Sequence, residues 1–221
     1  MKKLAIAIDG PAGAGKSSVS KIIASRLGYA YLDTGAMYRA VTYMVLTEKI
    51  SGEAAIAERA ASMDMEVRPE SGVMHVIVDG IDVTSHIRSS DVSSAVSAVA
   101  AIAGVRKAMA AMQRRQAAKG GIVLDGRDIG TTVLPNADVK IFLTASVHTR
   151  ALRRFAELKG NDPSLTLEKV EADIEKRDYA DSHRELSPLR QADDAHLVDN
   201  SDMTLEETAE EIIRICRGVC G

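Results

Sequence analysis

The residues Gly10-Pro11-Ala12-Gly13-Ala14-Gly15-Lys16-Ser17 match the pattern GxxxxGK[ST] position for position. Each residue type has a task in holding a polyphosphate. Glycines let successive backbone N–H groups turn toward the phosphates, and a helix that begins just behind them adds its positive dipole end. Lys16 can then reach the β- and γ-phosphates while Ser17 offers a hydroxyl to magnesium. That chemistry requires a strand before the loop and a helix after it. Residues 4–8 form a short apolar run with Ile6 and Ile8 β-branched, and behind the loop Val19, Ile22, Ile23 and Leu27 recur at helical spacing before Gly28. In that context the octapeptide reads as a triphosphate loop rather than a chance glycine-rich turn.

Such loops serve kinases, GTPases and motor-like ATPases, so other residues must decide. A guanine-reading NKxD segment is absent, and 221 residues is short for an oligomeric motor. Basic residues follow at what read as turns, strand ends and one helix: Arg39 after Asp33-Thr34-Gly35, Arg127 in DGRD, then Arg150, Arg153, Arg154, Arg177 and Arg184. Arginine outnumbers lysine 17 to 11, and its guanidinium is the side chain suited to bidentate grip on phosphate. The five histidines form no ligand set, and the nine methionines read as core filler. Two readings stay open for Asp125, a carboxylate held near magnesium or a strand-end cap.

The elements that must position these groups alternate. Residues 29–33, 121–125, 139–144 and 197–199 read as further strands, separated by helical patterns that include 105–119, 167–179 and 205–217. Strands alternating with helices predict an α/β fold with a parallel sheet and a ligand crevice at the strand carboxyl ends. One stretch breaks the rule: 65–68, 73–78 and 81–83 read as short strands joined by Glu70-Ser71-Gly72 and Asp79-Gly80, a small meander with no helix between its members.

Composition excludes other classes. A net charge of -3 with 3% aromatic residues and no tryptophan offers neither a polyanion-attracting field nor stacking platforms, so nucleic acid is not expected as a partner. The opening MKKLAIAI is cut short by Asp9, Gly10 and Pro11, which argues against a signal core, and no run approaches the roughly 20 apolar residues of a membrane span. The chain reads as cytoplasmic, with Cys216 and Cys220 as free thiols in a reducing compartment.

With these residues in view the sequence resembles the bacterial cytidylate kinases, within the nucleoside monophosphate kinases. The resemblance is carried by IDGPAGAGKSS, YLDTGAMYRA, SSDVSSAVSAVAAIAGVR, LDGRDIGT, VKIFLTAS, RALRR and EKRDYADSHRELSPL, spread in order from residue 8 to 189. It implies a P-loop kinase core with a five-stranded parallel sheet, formed by residues 1–33, 105–150 and 164–221. It also implies an inserted monophosphate-binding lobe at 34–104, enlarged by a small antiparallel sheet, and a short lid at 151–163 that closes over substrate.

The activity implied is ATP-dependent, Mg2+-assisted phosphorylation of CMP, and of dCMP, in pyrimidine metabolism, by a monomer. Carried over residue by residue, Gly10, Pro11, Ala12, Gly13, Ala14, Gly15, Lys16, Ser17, Ser18 and Arg153 would bind ATP. Thr34 and Arg39 would touch the acceptor phosphate, while Ser97, Arg106 and Asp128 would read the cytosine edge and Asp181 would hold the ribose. Arg127, Arg177 and Arg184, with Lys16, would surround the phosphates in flight. The sequence departs from the family where Ser17 and Ser18 follow the lysine in place of Gly-Thr, which leaves open which serine meets magnesium, although Ser17 fits the general loop pattern.

Two competing readings are another small-molecule P-loop kinase, acting on a different monophosphate or on a hydroxyl such as that of shikimate, and a nucleotide-sensing module without catalysis. A hydroxyl acceptor calls for a carboxylate base. A sensing module does not call for so many cations.

Overall fold

Ala5–Asp9 (β1) is apolar on both faces, and the fold uses this by placing it at the centre of a sheet covered on both sides. The other strands are Ala30–Asp33 (β2), Ile122–Gly126 (β6), Val139–Thr144 (β7) and His196–Asp199 (β8), in the order β2-β6-β1-β7-β8. β1 runs parallel to β6 and β7, and β7 parallel to β8. The register pairs Ile8 with Asp125 and Asp9 with Gly126, so two carboxylates stand one position apart at the sheet's carboxyl end, on opposite faces.

This computed structural model describes residues 3–70, 73–160 and 163–220. The chain forms two compact units, one of Met1–Tyr31 with Lys119–Gly221 and one of Leu32–Ala118. In the first unit Lys16–Leu27 (α1) and Leu205–Cys220 (α8) pack on the sheet. Val19 and Ile23 from α1, and Ala209, Ile212, Ile213 and Cys216 from α8, join Ile6, Ile8, Ile141 and Leu143 in one core. The α8 positions are spaced i, i+3, i+4 and i+7, which is the apolar stripe a helix needs on a sheet. Val147–Leu158 (α6) and Leu167–His183 (α7) share a separate small core of Ala151, Val170, Ile174 and Phe155. The lid expected at 151–163 begins inside α6, and its residues Asn161 and Asp162 lie outside the described residues.

The second unit holds Thr34–Thr47 (α2), Glu53–Ser62 (α3), Met65–Glu70 (β3), Val73–Val78 (β4), Ile81–Asp82 (β5), Ser90–Ala101 (α4) and Ala103–Ala117 (α5). The three strands form an antiparallel sheet in the order β3-β4-β5, as the meander pattern predicts. Ser71 and Gly72 of the expected turn lie outside the described residues.

Three helices, α2, α3 and α4, were not legible in the sequence. Asp33-Thr34-Gly35 reads as a turn, yet the Asp33 side chain accepts the Ala36 N–H at 2.9 Å and caps α2. Arg39 therefore lies inside a helix rather than at a turn, whereas Arg177 lies in α7, within the helical pattern read at 167–179. Capping residues and turn residues are chemically the same set, so Asp-Thr-Gly alone does not tell the two apart. Among the described residues no single helix is long and apolar enough to cross a membrane.

Candidate active site

The loop between β1 and α1 needs glycine at its entry for a concrete reason. Gly10 has φ +150°, and a Cβ there would sit 1.9 Å from the Leu143 carbonyl oxygen on β7. At its exit Gly15 is the N-cap of α1 with φ +84°, a left-handed conformation that glycine adopts without strain. Four of the loop's carbonyls accept side-chain hydrogen bonds. Lys16 Nζ donates to Gly10 O at 2.8 Å and Pro11 O at 2.7 Å, Arg150 Nη1 to Ala12 O at 2.9 Å, and Asn200 Nδ2 to Ala14 O at 3.1 Å. Arg150, only 4% exposed, also pairs with Asp178, which accepts the Ala12 N–H. Arg150, on α6, is thus a buried partner of the loop.

Lys16 is buried, and that burial followed by the Arg127 cation pushes its ammonium well below the usual lysine range, against the pull of Asp125 and Asp9. A cation held at such a cost suits a site meant to receive negative charge. Arg177 shows the same signature: burial and then Arg127 lower it, and its Nε is buried with no hydrogen-bond partner among the described residues.

Four of the predicted residues pair within this loop's unit. Arg127 Nε donates to Asp181 Oδ2 at 2.8 Å, and Arg184 Nη2 to Asp128 Oδ1 at 3.4 Å. Burial raises the Asp181 pKa, but Arg127, then Arg177 and Arg184, outweigh it and leave the carboxyl below its ordinary value. Arg184 is steadied from behind by the Ser187 carbonyl at 2.6 Å. Asp128 precedes a π-helical turn, Ile129–Val133, whose first two N–H groups, those of Ile129 and Gly130, are bound by the two oxygens of Asp9. π-turns are rare and concentrate at functional sites.

Asp125 accepts from Ser17 Oγ at 2.9 Å and from Tyr31 OH at 2.7 Å. Its carboxylate and the Ser17 hydroxyl form a pair of hard oxygen donors, the set that suits Mg2+; Ser18 is exposed.

The remaining predicted residues lie in the second unit. Thr34 is the buried first residue of α2, Arg39 Nη1 donates to Ser93 Oγ at 3.0 Å, and Ser97 is one helical turn beyond Ser93 on α4. Arg106 on α5 places its guanidinium 5.6 Å from the Tyr38 ring centroid and donates to Ala100 O at 3.2 Å. Two helices thus present Arg39 and Arg106 to α4, which carries the serines. Arg88 reaches Asp33 at 3.5 Å.

Sequence reading missed Asp9, Asp178, Asn200 and Tyr38. Asp9, Asp178 and Tyr38 lie within the motifs that carry the resemblance, but nothing in their types separates them from their neighbours. Asn200 follows a strand end without any motif.

Comparison with known proteins supplies the family. A model described as cytidylate kinase matches residues 6–218. The cytidylate kinase of Ligilactobacillus salivarius is 51% identical over 217 residues, covering 97% of this chain and 97% of the relative. That of Bacillus subtilis is 47% identical over 214 residues, covering 96% of each. Among solved structures, a shikimate kinase from Acinetobacter baumannii in complex with shikimate aligns over 98% of this chain and 94% of its own, with a TM-score of 0.51 and 16% identity, a likeness of fold alone. A family match over nearly the whole chain, on a P-loop core crowded with buried cations, establishes that the chain belongs to the cytidylate kinase family of phosphotransferases.

Proposed function

We propose that the chain transfers the γ-phosphoryl group of ATP to CMP, and to dCMP, as a monomeric cytoplasmic enzyme of pyrimidine metabolism. Family membership supports the reaction, and one observation carries the chemistry. Lys16 and Arg177 are held in one unit beside Arg127 against both repulsion and burial, and Arg184 with Arg127 faces the Asp181 carboxylate there. Such an arrangement is costly without an anion and is relieved by a polyphosphate.

The acceptor is a phosphate monoester whose second pKa near 6 leaves it mostly dianionic at neutral pH. It is already nucleophilic, so no general base is needed, and the residues act by positioning and by neutralising charge. Lys16 and the loop N–H groups hold the donor phosphates, and Arg127, Arg177 and Arg184 hold the group in transfer. Ser17 and Asp125 fit magnesium, which when bound would neutralise phosphate charge. Arg153 serves the ATP side.

Thr34 and Arg39 hold the acceptor phosphate, and Asp181 the ribose, its carboxylate keeping acceptor sites beyond the Arg127 bond. Cytosine donates from N4 and accepts at O2 and N3, so Asp128 suits the first and Arg106 with Ser97 the others. Residues 34–104 form the monophosphate-binding lobe of this reading, and 151–163 its lid.

The test is ADP release from Mg-ATP with CMP, dCMP, UMP, AMP, GMP, dTMP and shikimate as acceptors. Strong preference for CMP and dCMP is expected. Activity with another acceptor alone would overturn the roles of Ser97, Arg106 and Asp128, and silence with all of them would favour the sensing module.

A further inference from the structure

A phosphate loop presents N–H groups to its ligand only if the carbonyls of the same peptides are held elsewhere. The Ala14 carbonyl is held by Asn200, and how Asn200 itself is oriented sets the Ala14–Gly15 peptide. Asn200 is 3% exposed and its backbone N–H donates to Thr144 O at 2.9 Å, which ties it to the end of β7. Its Oδ1 accepts from Arg153 Nη1 at 3.1 Å, and its backbone carbonyl accepts from Arg153 Nη2 at 2.8 Å. A guanidinium can only donate. It therefore selects the amide rotamer that turns oxygen toward Arg153 and leaves Nδ2 facing Ala14 O, 3.1 Å away.

We infer that Arg153 is a positioning residue that acts on ATP through Asn200: by holding the amide oxygen it directs the amide nitrogen onto the Ala14 carbonyl and fixes the peptide that opens α1. The inference rests on the reading that this loop takes ATP. Two guanidinium nitrogens donate to Asn200 oxygens, so the effect of Arg153 needs no direct contact with the nucleotide.

The test is a double-mutant cycle on binding of magnesium with a non-hydrolysable ATP analogue, followed by calorimetry for wild type, Arg153→Ala, Asn200→Ala and the double variant. Each single substitution is expected to weaken binding about tenfold, the worth of one buried hydrogen bond. The double variant should bind no more weakly than Asn200→Ala, because the two residues share one path. A double variant weakened by the product of the single effects, about a hundredfold, would show that Arg153 reaches ATP independently and would overturn the inference. So would a single variant with no effect.

A second measurement needs neither nucleotide nor the Asn200 variant. In ligand-free protein the Gly15 amide resonance should move on Arg153→Ala, and an unmoved resonance overturns the relay. Wild type that binds the analogue but phosphorylates no acceptor would overturn the kinase reading and leave the cycle interpretable. Wild type that fails to bind would overturn both.

Discussion

Asp9 is 5% exposed at the end of β1, and its two oxygens accept 2.7 Å bonds from the Ile129 and Gly130 N–H groups. Burial dominates its ionisation and raises the pKa from 3.8 to about 6, against the two amide bonds and Lys16, with Asp128 adding to the rise. An acid whose pKa is raised in the fold holds its proton there after the unfolded chain has released it. Stability contributed by Asp9 is therefore present below pH 3.8 and lost as pH rises through about 6. The loss amounts to about 3 kcal/mol at 1.36 kcal/mol per unit.

Asp9→Asn keeps the shape and, like the protonated acid, has one acceptor oxygen. The two proteins should be close in stability at pH 4, and the variant should be ahead by about 3 kcal/mol at pH 7, or about 1.5 M in urea midpoint for a slope of about 2 kcal/mol/M. Urea unfolding followed by far-ultraviolet circular dichroism from pH 4 to 7.5 measures this, and subtracting the two proteins cancels the other carboxylates. A difference flat in pH, or a variant that loses ground as pH rises, would refute the reasoning, since the amide bonds and Lys16 would then outweigh burial. The same substitution should slow turnover, because the π-turn carrying Asp128 loses one of its two acceptors; a stabilising change that costs activity marks a group kept for the site.

Lys16→Ala should cut kcat by about a hundredfold or more while CMP still binds, measured by steady-state kinetics and by CMP titration. Asp128→Ala should lower the preference for CMP over UMP by about 1–3 kcal/mol in kcat/KM, with a smaller change in ATP-analogue affinity; an unchanged CMP-to-UMP ratio would remove Asp128 from base reading. In the second unit a Cβ on Gly104 would fall 2.3 Å from Ala57 Cβ, where α5 meets α3. Gly104→Ala should cost about 1–3 kcal/mol in thermal or urea unfolding, and adding Ala57→Gly should recover part of it.

Much of the fold was legible because its signals are local. β1 and β7 are apolar runs, α1 lies between a glycine loop and Gly28, and β3 to β5 alternate around turn residues. α2, α3 and α4 were not legible, since their starts use Asp33, Gly52 and Ser89, residues that turns also favour. Arg39 was consequently expected at a turn although it sits in mid-helix.

At the site, residue type and spacing along the chain marked Lys16 and Ser17 as groups for phosphate chemistry, and the resemblance to the family singled out Arg127, Asp128, Arg177, Asp181 and Arg184. What those groups do to one another depends on distance across the fold. The register of β1 on β6 puts Asp9 beside the Asp128 turn from 119 residues away in sequence, and burial there decides its charge. Asp125 became the partner of Ser17, and Asn200 the hold on Ala14 from 186 residues away, only when the strands were laid side by side. A motif records which atoms are offered, because side-chain chemistry is a property of single residues. Ionisation, hydrogen-bond pairing and the orientation of a peptide are properties of neighbours in space, and only the packed chain supplies those.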